Sequence, residues 1–328
     1  MTAEARSAQA GYAGATRYRW YEAVPFIVAI GFYFAMPDYL SLGSRILIFV
    51  LFALSLDLVL GFGGIVTLGH SAFLGTGAYV AGFIGAYSPV SDPIIQLLGA
   101  VLAAGLVGFL TGCIILRTKG LTVIMLTLAF AAILLELANK ASAITGGTDG
   151  LSGIQVAPIF GRFEFDLYGQ TGYLYCLGVL LVAWYLVRRL VHSPFGTSLT
   201  GIRDNASRMH AIGAPVYWRL VAAYSISAAI AGAAGALLTQ INQLVGLDVL
   251  GFEPSGEVVV MLILGGVGQI YGAFLGPAVF LVLQDALAKQ FPEFWYLGIG
   301  IGLLFVVWYA PTGLIGLISR VARRWGRP

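Results

Sequence analysis

Long apolar segments separated by short polar stretches are the feature that most constrains how this chain folds. Segments such as 93–116 and 217–241 carry almost no charge and are long enough to cross a bilayer as helices. Because the apolar runs are continuous and do not alternate with polar residues, they indicate helices and not a β-barrel. Only 10% of the residues are charged, against about 25% in soluble domains. The sequence therefore predicts an all-α polytopic membrane protein.

About ten segments are candidate membrane spans. Several are short or interrupted by glycine, so eight or nine crossings with re-entrant pieces also fit. Residues 1–23 form a polar, basic tail without the pattern of a cleavable signal peptide. Residues 24–316 form the transmembrane domain with one long polar loop, 192–216, and residues 317–328 form a basic tail. The candidate spans are 24–37, 45–61, 70–87, 93–116, 120–139, 173–190, 217–241, 257–267, 271–287 and 294–316.

The distribution of basic residues predicts the orientation of the chain. If the N-terminus is cytoplasmic and the spans alternate, fourteen of the eighteen Lys and Arg residues lie inside. Both termini and the loop 192–216 are therefore expected in the cytoplasm. Acidic residues are concentrated in two longer outer loops, 140–172 and 242–256, which offer a face for a soluble donor protein. The four basic residues predicted outside are Arg45, Lys140, Arg162 and Lys289.

The polar stretch Ser193 to Pro215 has the pattern of a short amphipathic helix. Apolar residues recur along one side at spacings of three and four, and Asp204 is placed to pair with Arg208 at i, i+4. Gly213 followed by Pro215 is a stop signal. Two interpretations stay open: an interfacial helix that orders a loop, or a helix that docks a soluble partner. The candidate docking residues are Leu199, Ile202, Arg203, Asp204, Asn205, Arg208, Met209 and Gly213.

Two glycine-rich interruptions of apolar segments resemble each other. Leu58–Gly61 followed by Ala72–Gly75 is similar to Leu262–Gly265 followed by Ala273–Gly276. Paired broken segments predict two pseudo-repeated halves with a substrate path between them. The match is short, so chance is an alternative, and in the predicted topology both segments run in the same sense, whereas inverted halves require opposite senses. The glycines considered as path residues are Gly63, Gly64, Gly265, Gly266 and Gly268.

Ionisable residues inside the apolar segments are candidates for function. Asp57 lies about one turn before the first glycine break. It is interpreted either as a buried cap for the broken helix that follows or as a path residue. His70 and Ser71 follow the break with the same ambiguity, and Ser71 also suits the start of a helix. Glu136 and Lys140 are expected to form an i, i+4 pair.

Several kinds of chemistry have no sequence signature. None of the three lysines, Lys119, Lys140 and Lys289, follows a glycine, so no G-K-[ST] phosphate loop exists. The three histidines lack metal-ligand spacing. Cys113 and Cys176 lie inside apolar segments and are interpreted as packing residues. The expectation is a protein without a catalytic site, metal or cofactor of its own.

Motifs along most of the chain are similar to those of one transport family. They are SPFG followed by IRDNASRMHAIGAP, GFGGIVTLGHSAFLGTGAYVAG, LTLAFAAILLELANKASAITGGTDGL and LILGGVGQIYGAFLGPA. These motifs, between about residues 40 and 316, resemble the LivM-like permease subunits of ABC importers of the branched-chain amino acid type. In the cytoplasmic loop, Gly213 matches the glycine of a degenerate EAA-type motif. Asn205-Ala206-Ser207 replaces the usual acidic-Ala-Ala start of that motif.

The resemblance implies a set of partners and a mechanism. Such permeases lie in the bacterial inner membrane, pair with a second, related permease, receive substrate from a periplasmic binding protein and are driven by two cytoplasmic ABC ATPases that use ATP. It also implies that the helix in 192–216 is the coupling helix. The substrate is left open among amino acids, urea, short amides and aromatic acids. A stand-alone carrier or channel for a small polar solute is the alternative function, and no feature indicates nucleic-acid binding.

Overall fold

The structure is a computed structural model that describes residues 20–88, 91–158, 163, 169–290, 293, 297–302, 308 and 313–317. Apart from single helical turns and an isolated bridge, the described residues form helices, joined by short connections except for the longer one at 141–169. The helices are α1 (Val24–Ala35), α2 (Leu40–Asp57, continued by a π-helical turn Leu58–Phe62), α3 (Ser71–Tyr87), α4 (Pro93–Ile115), α5 (Leu121–Lys140), α6 (Gln170–Val191), α7 (Pro194–Ala211), α8 (Val216–Asn242), α9 (Phe252–Gly265) and α10 (Gly272–Gln290).

Several of the predicted spans are confirmed as long apolar helices. In the described part, six helices are long and apolar enough to cross a membrane: α2 with its flanking turns, α4, α5, α6, α8 and α10. The shorter helices α1 and α9 have 12 and 14 residues. At about 1.5 Å per residue, neither spans a hydrocarbon core of about 30 Å alone. The predicted span 294–316 and both tails lie largely outside the described residues, so the total of about ten spans stays a prediction.

Helix α4 illustrates how residue size decides which side of a helix faces inward. Its large side chains repeat every fourth position on the exposed side: Leu98, Leu102, Leu106 and Leu110. Its small residues are buried: Ala100, Ala104 and Gly108. In a membrane, exposed leucines contact lipid without cost, and small residues allow helices to approach closely. The helix is therefore apolar on all sides and is oriented by size and not by polarity.

The core of the molecule is formed by α2 and α8, whose residues are mostly buried. Helix α8 packs against α3 and α4 with its backbone close to theirs. A Cβ atom at Gly77 of α3 would overlap the backbone of Gly232, and one at Gly235 would overlap the carbonyl of Leu74. Glycines at these crossings thus allow three helices to share one tightly packed interior.

The two ends of α2 mark the two ends of the molecule. Near its beginning, Arg45 borders the connection that follows α8. There Leu151 and Val245 form an antiparallel bridge, with N–H to O distances of 2.8 and 3.1 Å, so that the two predicted outer loops contact each other. At the other end, the π-helical turn of α2 lies against α7. The bridge between the two loops expected outside is therefore separated from the segment expected inside by the length of α2. The end of the loop 242–256 is not, because Leu250 and Ser255 contact the start of α3.

Candidate functional site

Two glycine breaks and α7 meet at one end of the molecule. The first break, residues 63–70, connects α2 to α3, and the second break, residues 266–271, connects α9 to α10. Both breaks are where the sequence predicts interrupted helices. A chain of close contacts joins the three segments, and we call the residues that form it the glycine junction: Asp57, Gly61, Arg203 and Gly268.

Asp57 connects the end of α2 to the second break. It is buried, and its Oδ1 accepts a hydrogen bond of 2.7 Å from the backbone N–H of Gly268. Its Oδ2 has no hydrogen-bond partner within the described residues. A Cβ atom at Gly61 would overlap this carboxylate and would lie 2.5 Å from the nitrogen of Gly268. Asp57 was expected to cap the break that directly follows it. This expectation is wrong, because its carboxylate binds the backbone of the second break instead.

Arg203 connects α7 to the same place. Its Nη1 donates a hydrogen bond of 2.5 Å to the carbonyl of Gly61, and its Nε and Nη2 both lie 3.2 Å from Oδ1 of Asp204. The aliphatic part of the side chain crosses Gly64, where a Cβ atom would lie 2.7 Å from Cγ of Arg203. Gly64 also has a φ of +70°, which favours glycine. The guanidinium is thus held between an acceptor inside the protein and a carboxylate on α7.

Helix α7 is not the continuous helix that the pattern predicts. It begins at Ser193, whose Oγ accepts hydrogen bonds from the N–H groups of Phe195 and Gly196. At Asn205 the backbone leaves the helical region, with φ −160° and ψ 95°, and the Asn205 side chain accepts from the N–H of Arg208 at 2.9 Å. Asn205 therefore acts as an N-cap for a second helical segment.

The break at Asn205 divides the candidate docking residues into two groups. Before it, Leu199 and Ile202 are buried. After it, Arg208 is exposed and Met209 is half-buried. The expected pair of Asp204 with Arg208 is wrong, because the break removes the i, i+4 geometry and Asp204 pairs with Arg203. Gly213 ends the segment with a φ of +82°, as its stop signal predicts.

A buried polar cluster holds the C-terminal end of the first break. His70 is fully buried between the rings of Phe52 and Phe73, and its Nε2 lies 3.0 Å from Oγ of Ser55 and 3.4 Å from Oγ of Ser227. Both hydroxyl groups donate to carbonyls, Ser55 to Phe52 at 2.6 Å and Ser227 to Ser55 at 2.5 Å. Each hydroxyl has one proton, so Nε2 of His70 carries the ring proton and donates it to Ser55.

The start of α3 is capped from another helix. The N–H of Ser71 donates to Oγ of Ser255 at 2.8 Å, and the Ser71 hydroxyl lies 3.4 Å from the carbonyl of Leu250. Ser71 does start a helix, as expected, but the cap is Ser255 of α9. A side chain 184 positions away thus satisfies a donor that the first turn of a helix leaves open.

The other predicted path glycines lie around the junction without sharing one role. Gly63 directs its N–H to the carbonyl of Leu58 at 3.2 Å and ends the π-helical turn. Gly265 lies so close to Gly272 that a Cβ atom would overlap that carbonyl, and Gly266 has a φ of +120°. Gly63 and Gly266 therefore shape turns, whereas Gly265 allows α9 and α10 to pack side by side.

Some polar contacts were not predicted from the sequence. Glu22 and Arg188 form a buried ion pair with N–O distances of 2.7 and 3.0 Å, which connects the turn before α1 to the end of α6. Ser55, Ser227 and Ser255 carry the buried hydrogen bonds described above. The only sequence signal of Ser55 and Ser227 is a polar residue inside an apolar segment, and Ser255 lies in the predicted loop 242–256 without such a signal. The expected pair of Glu136 with Lys140 is confirmed at 3.6 Å, and Cys113 and Cys176 are free.

The opposite end of the molecule contains a cavity of about 870 Å³. Its walls come from α2, α3, α8, α9, α10 and the connection between α8 and α9. The guanidinium of Arg45 lies 5.7 Å from the ring centre of Phe49. Charges of both signs therefore border a partly apolar space. The charged residues that line it are Arg45, Asp248, Glu253, Glu257 and Asp285.

The fold and these contacts define a multi-pass α-helical membrane protein with two broken helical segments. The chain belongs to the family described as branched-chain amino acid transport system / permease component, whose model matches residues 39–307. The family resemblance predicted from the motifs is thereby confirmed, and the chain is a permease component of a transport system. No solved structure matches the chain significantly.

Individual relatives agree with this membership. The chain is 28% identical to the high-affinity branched-chain amino acid transport system permease protein LivM of Salmonella typhimurium. The alignment extends over 313 residues and covers 89% of this chain and 71% of the relative. The identity to LivM of Escherichia coli is 27% with the same coverage. A probable branched-chain amino acid transport permease protein LivH of Methanocaldococcus jannaschii is 26% identical over 82% of this chain and 84% of the relative.

Proposed function

We propose that this chain and a second, related permease form the membrane path of an ATP-driven importer in a bacterial inner membrane. Two cytoplasmic ABC ATPases use ATP to drive the pair, and a periplasmic binding protein delivers the substrate. The substrate is a branched-chain amino acid, another amino acid or a related small organic solute. The chain crosses the membrane about ten times and has no ATP site or cofactor of its own.

The observation that carries this proposal is the form of α7. Its first segment is fixed to the protein by the buried side chains of Leu199 and Ile202, while the second segment after Asn205 is largely exposed. In the described part, this is a polar helix on a protein whose other long helices are apolar. A surface helix that is anchored on one side and free on the other suits docking to a soluble ATPase.

The contacts between distant segments support the proposed orientation. The first break, the second break and α7 are all expected on the cytoplasmic side, and they meet in the glycine junction. The loops 140–172 and 242–256 are expected on the outer side, and Leu151 pairs with Val245 between them. These contacts join segments that the positive-inside rule assigns to the same face. The hydrogen bond from Ser71 to Ser255 does not, because it joins the expected inner end of α3 to the loop 242–256, which is expected outside.

The cavity at the proposed outer end supports an amino-acid substrate. Its volume of about 870 Å³ lies in the range of small-molecule sites. Arg45 suits a carboxylate, while Asp248 and Glu257 suit an ammonium group, and Phe49 with Leu74 offers an apolar surface. A zwitterion with an apolar side chain matches this combination of charges and surface.

Reconstitution of the complete complex tests the proposal. The chain, its sister permease, both ATPases and the binding protein are assembled in proteoliposomes, and uptake of radioactive leucine is measured with ATP and with a non-hydrolysable analogue. We expect uptake that needs both ATP and the binding protein. Equal uptake by the permease pair without ATPases would identify a stand-alone carrier or channel and overturn the proposal.

A charge reversal on α7 tests docking itself. Arg208→Glu changes an exposed residue after the Asn205 break, and we expect at least a several-fold loss of ATPase co-purification, because reversed charges at a docked interface repel. Arg117→Glu is the matched control, since Arg117 is exposed in a different connection on the same proposed face. Equal ATPase recovery with both variants would mean that α7 is an ordinary surface helix.

A further inference from the structure

The glycine junction gives Arg203 a place that is unusual for a residue on a proposed docking helix. Its side chain is 40% exposed, but Nη1 points inward and donates to a main-chain carbonyl of α2. Arg208, on the segment after the Asn205 break, is also basic but makes no side-chain hydrogen bond among the described residues. The two arginines of α7 therefore have different surroundings, although the sequence pattern treats them alike.

The carbonyl of Gly61, which accepts the hydrogen bond from Arg203, is left without a backbone partner by the π-helical turn at the end of α2. The N–H groups of Gly63, Gly64 and Ile65 donate to the carbonyls of Leu58, Leu60 and Val59. The carbonyl of Gly61 is not used by this turn and accepts from Arg203 instead. A charged donor on a main-chain acceptor forms a stronger bond than a neutral donor does, so a side chain from α7 adds a strong hydrogen bond to the end of α2.

The glycine junction also connects Arg203 to the second break. Gly61 lies against Gly268, and Gly268 donates its N–H to Asp57, four residues before Gly61. A Cβ atom at Gly268 would come within 3.2 Å of Nη1 of Arg203. Arg203 therefore touches the first break directly at Gly64 and borders the second at Gly268.

We propose that Arg203 is the positioning residue through which a movement of α7 reaches both glycine breaks. This inference rests on the proposed function, because it assumes that an ATPase moves α7. Asp204 holds the guanidinium in register with its Oδ1, 3.2 Å from Nε and from Nη2. Asn205 then ends the segment, so the exposed residues after it are left to contact the ATPase while Arg203 stays in the junction.

Replacement of Arg203 in the complete complex tests this role. For Arg203→Ala we expect normal assembly with the ATPases, because the docking segment is unchanged. We expect leucine uptake to fall about ten-fold or more, the size of effect given by loss of a charged hydrogen bond to a protein acceptor. ATP hydrolysis should continue but no longer respond to the loaded binding protein. Arg203→Lys keeps one donor and should restore part of the response.

The matched control separates this inference from the proposed function. Arg117→Ala removes an exposed arginine of another connection on the same proposed face, outside both the junction and α7, so ATPase co-purification and its stimulation by the binding protein should both be retained. If Arg203→Ala loses ATPase co-purification, Arg203 is a docking residue and the inference is wrong, while the importer function stands. If it retains substrate-stimulated hydrolysis and uptake, Arg203 only fixes a loop and the inference is also wrong.

A second measurement leaves Arg203 unchanged. Val66 lies in the first break with 46% of its surface exposed, and Val66→Cys in a background with Cys113 and Cys176 replaced by serine reports on that break. We expect its rate of reaction with a maleimide to change by several-fold when ATP is trapped in the complex. An unchanged rate would mean that the break does not respond to the ATPases, and the inference would fail even if Arg203→Ala did not fold.

Discussion

The two glycine breaks have similar sequences but are held by different interactions. The first break sends the chain from α2 to α3, which packs against α4 and α8 and not alongside α2. It is fixed by buried side chains, those of His70, Ser55 and Ser255. The second break returns the chain as a hairpin in which α9 and α10 pack directly on each other. That hairpin depends on backbone contacts at Gly265 and Gly272.

This difference shows that a glycine break does not specify what surrounds it. Glycines permit the turn in both cases, but the partner of each break comes from elsewhere in the chain. The first break is stabilised by hydrogen bonds to polar side chains, whereas the second is stabilised by close packing and by the carboxylate of Asp57. We therefore expect the first break to be sensitive to the loss of polar groups and the second to added volume.

The largest expected effect concerns a pair of glycines that occupy matching positions in the two segments. A Cβ atom at Gly276 would overlap the backbone carbonyl of Met261, whereas one at Gly75 would overlap the side chain of Leu250 and lie 3.4 Å from its Cα. Gly276→Ala should cost about 3 kcal/mol because two helices must separate, and Gly75→Ala about 1 kcal/mol because a leucine can shift. The measurement is the fraction of each variant that stays monodisperse after heating in detergent.

Gly178→Ala is the control for this comparison, since no atom lies within 4 Å of a Cβ at that position of α6. It should leave the thermal stability unchanged or slightly improved, because alanine favours a helix over glycine. Equal losses for the variants at 276 and 75 would show that the two breaks are packed alike and would remove the distinction between them.

A smaller effect is expected from the polar cluster of the first break. His70→Leu keeps the volume but removes the N–H that Ser55 accepts, and it should lower the free energy of unfolding by about 1–2 kcal/mol. His210→Leu, at an exposed position on α7, is the matched control and should be neutral. Thermal unfolding of both variants in detergent measures the difference, and an unchanged midpoint for His70→Leu would mean that the aromatic rings alone hold the break.

The sequence predicts the apolar helices well because their pattern is local. The expected spans 70–87, 93–116 and 217–241 agree within a residue or two with α3, α4 and α8. The break within α7 was not predicted, because the apolar spacing continues through Asn205. Asparagine is nevertheless a common N-cap residue, and here its side chain caps the N–H of Arg208, three residues later. Helical periodicity alone therefore gives the position of a helix but not its interruption.

The junction itself could not be predicted from local patterns. Arg203 lies 142 positions from the carbonyl that it binds. Every residue has a main-chain carbonyl, so the residue type does not show which carbonyl accepts a hydrogen bond from a side chain. A charged side chain on an amphipathic helix is expected in solvent, so its inward direction follows only from the tertiary structure. Asp57 was recognised as unusual because a lone carboxylate in an apolar segment is costly, but its partner, a backbone N–H in another segment, has no sequence signature either.

The smallest expected effect on stability, and the sharpest test of function, comes from Asp57. An asparagine at this position keeps an oxygen that accepts from the N–H of Gly268, so Asp57→Asn should assemble normally with unfolding changed by less than about 1 kcal/mol. It removes the acidic group that Gly268 connects to Arg203 in the junction, so transport by the complete complex should still be impaired. Asp57→Leu removes the acceptor as well and should be less stable, which separates the two contributions of the carboxylate. Leucine uptake and thermal unfolding of both variants measure them. Normal uptake by Asp57→Asn would mean that Asp57 is only a structural link between the two breaks. The difference between the first and the second break would then concern folding alone.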